Sequence, residues 1–283
     1  MRKILKPAQP HEMELIDAYL EHMRRAGATE ATLEGRHEIL YRLNRDLPDG
    51  IGQTDTEELS RWLYRDNWSA NTKATYWRAI RSFYTWACNP KDPWLNGEDP
   101  TGEMAAVQTI RGVPRPVTDE QLARILAESP EHIRIWALLA CYQGLRCIEI
   151  AGLDREHITQ QQLIVVRGKG GKPRVHDTHP DVWAAVRDLP KGPLAVGEDG
   201  ERLTPFEVSL TAAHFFRRQL HMPGVSLHRL RHWLGVKLQR LYKDIRVTQR
   251  ALGHVALSST QIYTDATDEQ QQEARAMLPR FSG

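Results

Sequence analysis

"LLACYQGLRCIEIAGL" (residues 138–153) is apolar along almost its whole length, yet it carries an arginine two places after a glycine. The run reads as the end of a long apolar helix over about 131–143, stopped at Gly144, with a second short helix starting near Arg146. An arginine is rarely held among apolar side chains unless an opposite charge pairs with it. Arg146 is therefore expected to await an anion.

Working outward, "VTDEQL" precedes this helix with a capping-box signal, Thr118 to Gln121, ahead of Leu122, Ile125 and Leu126. After it, "QQLIVVRGKGGKPRVHDT" (161–178) joins a β-branched run, a Gly-Gly turn and a second short run, the pattern of an antiparallel hairpin. The chain then returns to helices. In "SLHRLRHWLGVKLQRL" (226–241), Leu227, Leu230, Leu234, Leu238 and Leu241 form one predicted apolar stripe.

The N-terminal part is helical by spacing over 12–26, 29–47, 55–67 and 70–88. Trp77, Ile80, Tyr84 and Ala87 share one face of the last of these, and Ser69 suits its N-cap. The Pro- and Gly-rich stretch "NPKDPWLNGEDPTGEM" ends the pattern, and "IRGVPRPVT" follows as an extended linker. At 283 residues the expectation is two domains, 1–108 and 117–283, joined over about 109–116. The fold class is mainly α: an N-terminal helical bundle, then a mostly helical domain with one small antiparallel β-hairpin.

Apolar content of 41% and charged content of 26% are those of an ordinary globular chain. Cys88, Cys141 and Cys147 form neither a disulfide framework nor a zinc knuckle, which suits a reducing compartment. No apolar run approaches the roughly 18 residues of a membrane span, and no secretory signal opens the sequence, so a cytoplasmic protein is expected.

Charge is distributed unevenly. Residues 1–113 hold 15 basic and 17 acidic side chains, a net of −2, whereas the whole chain is +2. Within 211–250 there are nine basic residues and a single acid, Asp244. Such an excess is the footprint of a polyanion site, most often nucleic acid, although a solvated basic face has the same composition.

Three segments carry candidate chemistry. The "GKGGK" turn is not a phosphate-binding P-loop, because only two residues separate Gly168 from Gly171 and Pro173 stands where Ser or Thr belongs. What survives is a tip presenting Lys169 and Lys172. In "LHRLRH", His228 and Arg231 share a helix face beside the leucine stripe, at the rim of the core. His228 and His232 have the spacing of a zinc pair, but Arg229 replaces the needed glutamate and two arginines repel a cation. In "ALGHVALSSTQIYTDAT", Gly253 ends a short helix, His254 follows, and Ser258 or Ser259 caps a last helix bearing Tyr263.

In this order, Arg146, Lys169, His228, Arg231, His254 and Tyr263 resemble the tyrosine recombinases, also called phage integrases. The likeness is carried by "GLRCIEIAGL", "VRGKGGKPRV", "LHRLRHWLG" and "LGHVALSSTQIYTD", over about 117–265. The first part, especially "TKATYWRAIRSFYTWA", is similar to that family's helical core-binding domain.

The resemblance implies that the awaited anion is a scissile DNA phosphate, with Arg146 and Arg231 binding its non-bridging oxygens. Planar guanidinium groups suit that task, and a double clamp of this kind needs no metal. It also implies Tyr263 as the nucleophile that forms a covalent 3′-phosphotyrosine, His228 as proton acceptor, and Lys169 as proton donor to the leaving 5′-hydroxyl. His254 would donate a hydrogen bond to the phosphate, Glu149 would support the site, and Lys172 is the fallback lysine. No cofactor is expected: the two arginines make a metal unnecessary, and the protein linkage conserves the phosphodiester energy, so rejoining needs no ATP.

The implied partners are double-stranded DNA and three further copies of the chain in a synaptic tetramer, with a monomer or weak oligomer when free. Whether an accessory directionality factor takes part, and whether the tail after Tyr263 docks in cis or in trans, stay open. The expected setting is a bacterial cytoplasm, associated with the nucleoid.

Two departures from the family pattern stand out: Ile148 replaces a common serine and Gln143 a common threonine, changes expected to alter packing around Arg146 and Glu149. The chain also starts almost directly at the core-binding part, so dependence on distant arm sites is not expected. A type IB topoisomerase or a telomere resolvase would share the chemistry, and a non-catalytic DNA-binding protein would share the scaffold.

Overall fold

The computed structural model describes residues 10–95, 97–109, 115–165 and 174–252. The chain divides into two compact units, Met1–Arg111 and Gly112–Gly283. Both are built of helices, and the second adds a two-stranded antiparallel sheet.

The first unit contains α1 (Pro10–Arg25), α2 (Glu30–Asp46), α3 (Thr56–Leu63) and α4 (Ala70–Ala87). Thr29, Asp55 and Ser69 begin the last three by accepting the backbone N–H groups of Thr32, Glu58 and Thr72, donors that a helix start otherwise leaves unpaired. Ile16, Leu40, Leu43, Ile80 and Phe83 are buried in its core. Two polar bonds pin the loop after α2 to that core: the Tyr84 hydroxyl donates to the Ile51 carbonyl at 2.7 Å, and the Ile51 N–H donates to Asn44 Oδ1 at 3.0 Å. Helix α3 stops at Leu63, short of the predicted 67. Beyond it Trp68 turns back and packs edge-on against Trp62, with ring centroids 4.5 Å apart.

The second unit runs α5 (Asp119–Glu128), α6 (Glu131–Cys141), α7 (Cys147–Ala151), β1 (Gln162–Val165), β2 (Arg174–Asp177), α8 (Pro180–Val186), α9 (Pro205–Arg218), α10 (Leu227–Tyr242) and α11 (Ile245–Leu252). The capping box at Thr118 and Gln121 starts α5, each side chain bonding the other's backbone N–H. Helix α6 is buried on all sides from Ile135 to Cys141, the signature of a central helix, and the Trp136 indole donates to the Leu194 carbonyl at 3.0 Å. Helix α10 packs along α6, and α7 against α9.

The leucine stripe of α10 is shorter than its sequence spacing predicts. Leu227 and Leu230 are buried, Leu234 and Leu238 half-buried, and Leu241 is 74% exposed. The last turn extends past the core, and Lys243, in the left-handed region at φ 52°, turns the chain into α11.

In the sheet, Gln162 pairs with Asp177 and Val165 with Arg174. Leu163 and Val165 face the core while Gln162 and Ile164 are exposed, as the two-residue side-chain period requires. This register sets Arg174 at the end of the stem, next to segment 166–173. Among the described residues, no helix is long and apolar enough to cross a membrane.

Candidate functional site

Gly144 adopts φ +62°, a conformation that closes the end of α6 and costs glycine little. The chain then enters α7 with Arg146 as N-cap. The Arg146 backbone N–H donates to Glu149 Oε2 at 2.9 Å, and its guanidinium donates through Nη1 to Glu149 Oε1 at 3.2 Å. Glu149 is 2% exposed at its side chain, whereas a third of the Arg146 side chain stays open. The carboxylate thus anchors the arginine and leaves part of its fork accessible.

Arg231 enters from α10 and is 2% exposed, so it lies within the core rather than at its rim as the helix pattern implied. Its Nη1 donates to the Gly144 carbonyl, and its Nη2 donates to the Leu252 carbonyl at 2.7 Å. The second acceptor is the carbonyl of Leu252 in α11. A buried guanidinium requires such partners, since an unpaired buried charge is strongly destabilising.

His228 lies one turn before Arg231 and is exposed on one side. Partial burial of its ring, followed by the positive charges of Arg231 and Arg146, holds its pKa below the ordinary imidazole value. The neutral form therefore prevails at neutral pH and can accept a proton. His232 packs edge-on against it, with centroids 4.3 Å apart. Burial, then His228 and two arginines, push the His232 pKa down to about 4. Among the described residues, no group of three His, Cys, Asp or Glu side chains could hold a metal ion.

The structure therefore brings Arg146, Glu149, His228 and Arg231 to one place. Lys169, Lys172, His254 and Tyr263 lie outside the described residues. Ile148 stands 55% exposed instead of packing around Arg146, because it points from the open side of the short α7. Gln143 is buried at 5% exposure, and its Nε2 makes no hydrogen bond. It lines an open cleft of about 960 Å³ together with Arg174, His176, Leu234 and Arg250.

Sequence reading missed one participant. Arg174, the first residue of β2, donates through Nη2 to Glu149 Oε1 at 2.6 Å. Glu149 thus joins two guanidinium groups from segments 28 positions apart. The available signal was only that Arg174 begins the second hairpin run; nothing in the local pattern showed what it reaches.

A buried arginine held by two backbone carbonyls, a second arginine braced by a carboxylate and a neutral histidine beside both make a site for a tetrahedral oxyanion. The phage integrase family model matches residues 115–270, more than half of the chain. The tyrosine recombinase XerC of Neisseria meningitidis serogroup C is 30% identical over 275 residues, covering 88% of this chain and 89% of that protein. XerC of Rhodospirillum centenum is 31% identical over 296 residues, covering 93% of this chain and 85% of that protein. A lambda integrase dimer bound to a COC′ core site has the same fold, with a TM-score of 0.72 at 18% identity over 89% of this chain and 77% of that one.

The chain belongs to the phage integrase family of tyrosine recombinases. Its activity is that of the class, site-specific cutting and rejoining of DNA through a phosphotyrosine.

Proposed function

We propose that Arg146 and Arg231 bind the two non-bridging oxygens of the scissile phosphate, and that Tyr263 attacks the phosphorus. The Tyr263–phosphate bond forms, the bond to the 5′-oxygen breaks, the phenolic proton passes to His228, and Lys169 protonates the leaving 5′-oxygen to give the 5′-hydroxyl. His254 donates to a phosphate oxygen, and Glu149 braces Arg146. The observation that carries this reading is the approach of Arg146 and Arg231, from separate segments, to His228, whose pKa is lowered by burial and then by both arginines.

A phenol with a pKa near 10 is mostly protonated at neutral pH, so attack needs both a neutral base and a positive field. We assign His228 as that base and Arg146 and Arg231 as that field. Rejoining reverses the step with another strand's 5′-hydroxyl, so no ATP enters the balance and no metal is assigned a role. The partners we assign are duplex DNA and a tetramer of this chain on two sites. The lambda integrase and XerC proteins named above support the DNA assignment by family and fold. The cell compartment we assign is the bacterial cytoplasm.

The test is covalent trapping from a pool of randomised duplexes carrying a nick, which lets the cleaved fragment diffuse away. Wild type should give a denaturation-resistant protein–DNA adduct and Tyr263→Phe none. An inverted repeat in the trapped DNA identifies the recombination site and excludes a non-specific topoisomerase. DNA binding by both proteins with no adduct from either contradicts the catalytic assignment.

A further inference from the structure

Arg174 touches a partner of each of the two site arginines. Its Nη2 donates to Glu149 Oε1 at 2.6 Å, the same oxygen that accepts Arg146 Nη1 at 3.2 Å. Its Nη1 reaches the Leu252 carbonyl at 3.5 Å, and Arg231 Nη2 donates to that carbonyl at 2.7 Å. The Arg174 side chain is 22% exposed and Glu149 is 2% exposed.

Three guanidinium groups of like charge are thus held together by one buried carboxylate and the carbonyl of Leu252. Unpaired, they would repel one another and Arg146 would lose its fixed direction. The planar fork of arginine serves these two acceptors in fixed, separated directions, which the compact ammonium of lysine does not.

We propose that Arg174 is a positioning residue for strand cleavage: by holding Glu149 and the Leu252 carbonyl, it sets the geometry in which Arg146 and Arg231 meet the phosphate. This rests on the functional reading above. It assigns Arg174 no contact with DNA and no proton transfer. It also ties the arginines to the hairpin stem, since Arg174 begins β2 and pairs with Val165 at the stem's end.

The test uses the full chain, with Arg174→Ala, Arg174→Lys, Glu149→Gln and the Ala/Gln double variant. All are read by trapping on the randomised nicked pool and on a second pool with sulfur in place of the bridging 5′-oxygen. Sulfur leaves without needing a proton donor, so it relieves defects in the leaving-group step only.

Arg174→Ala should form adduct about 10- to 100-fold more slowly, the range for losing a hydrogen bond to a charged group. DNA affinity and its salt dependence should stay at wild-type values, because no phosphate contact is removed. The double variant should be no slower than the worse single variant, and the sulfur pool should leave the defect in place. Arg174→Lys should recover only part of the rate, and it provides the reading if Arg174→Ala fails to fold.

A wild-type cleavage rate in either substitution overturns the proposal. So does a defect that the sulfur pool erases, a reduced salt slope, or effects of Arg174→Ala and Glu149→Gln that simply multiply. Absence of an adduct from wild type overturns instead the functional reading beneath it.

Discussion

Arg231 donates to the carbonyl of Gly144, two residues before Arg146, so the loop that carries one arginine also fixes the other. A Cβ at Gly144 would stand 3.0 Å from Leu252 Cδ2 and 3.1 Å from Leu234 Cδ2, in a backbone with φ +62°. Gly144→Ala should therefore destabilise the fold by about 1–2 kcal/mol, the left-handed cost for an L-residue, and slow cleavage as well. Urea unfolding and adduct trapping check the two effects; an unchanged midpoint would show that the loop tolerates the side chain.

Glu149 is the buried counter-charge of two arginines. Its replacement by Gln keeps the shape but leaves Arg146 and Arg174 without their anion. Because both arginines are partly open, the loss should be on the order of 2 kcal/mol, below the full range for breaking a buried pair. Denaturant titration measures it, and a change under about 0.5 kcal/mol, the size of a neutral surface substitution, argues against the bridge.

Cleavage should depend on pH through His228. Its pKa is lowered by burial and by Arg231 and Arg146, so the base form persists below the ordinary imidazole value of 6.5. The rate of adduct formation should hold constant from pH 8 to below 6.5 and fall only in more acidic buffer. A fall already centred at or above 6.5 would show that neither burial nor the two arginines lowers the pKa of the group that accepts the proton.

Stability should also fall with acid. His232 is held neutral in the folded state with a pKa of about 4, against 6.5 when free, so the unfolded chain binds more protons between those values. Its contribution is complete above pH 6.5, is lost as pH drops toward 4, and levels off below. His176 and His132, both lowered by burial, act in the same direction. His232→Gln should flatten part of this slope in melting temperature against pH.

The α10 stripe offers a matched pair. Leu230 is fully buried and Leu241 is 74% exposed. Leu230→Ala should cost about 2–5 kcal/mol, and Leu241→Ala less than about 0.5 kcal/mol. Equal costs would mean that the stripe continues to pack along its whole length.

The elements most legible in the sequence were those fixed by short-range chemistry. Ser69 and Thr118 cap helices where their spacing placed them, and the glycine after the apolar run closes α6. Arg146 was identified because a charge in apolar surroundings is costly wherever the chain folds. The depth of Arg231 was not legible, since its acceptors, Gly144 and Leu252, lie 87 and 21 residues away. Arg174 escaped for the same reason: a hairpin's first residue looks alike whether it meets water or a buried carboxylate. The end of the leucine stripe depended on where α6 stops supporting α10, a property of two helices together.

The central claim is that Arg146 and Arg231 stabilise charge on the scissile phosphate, and a neutral phosphate analogue tests it most directly. Adduct formation is measured for wild type and Arg146→Ala on the trapped site, once with a normal phosphate and once with a methylphosphonate at the cleaved position. On the normal phosphate Arg146→Ala should be about 100- to 1,000-fold slower, as for loss of one oxyanion donor. On the methylphosphonate that deficit should shrink below about tenfold, because little charge remains for the missing guanidinium to meet. An equal deficit on both substrates would contradict the clamp and leave Arg146 a purely architectural residue.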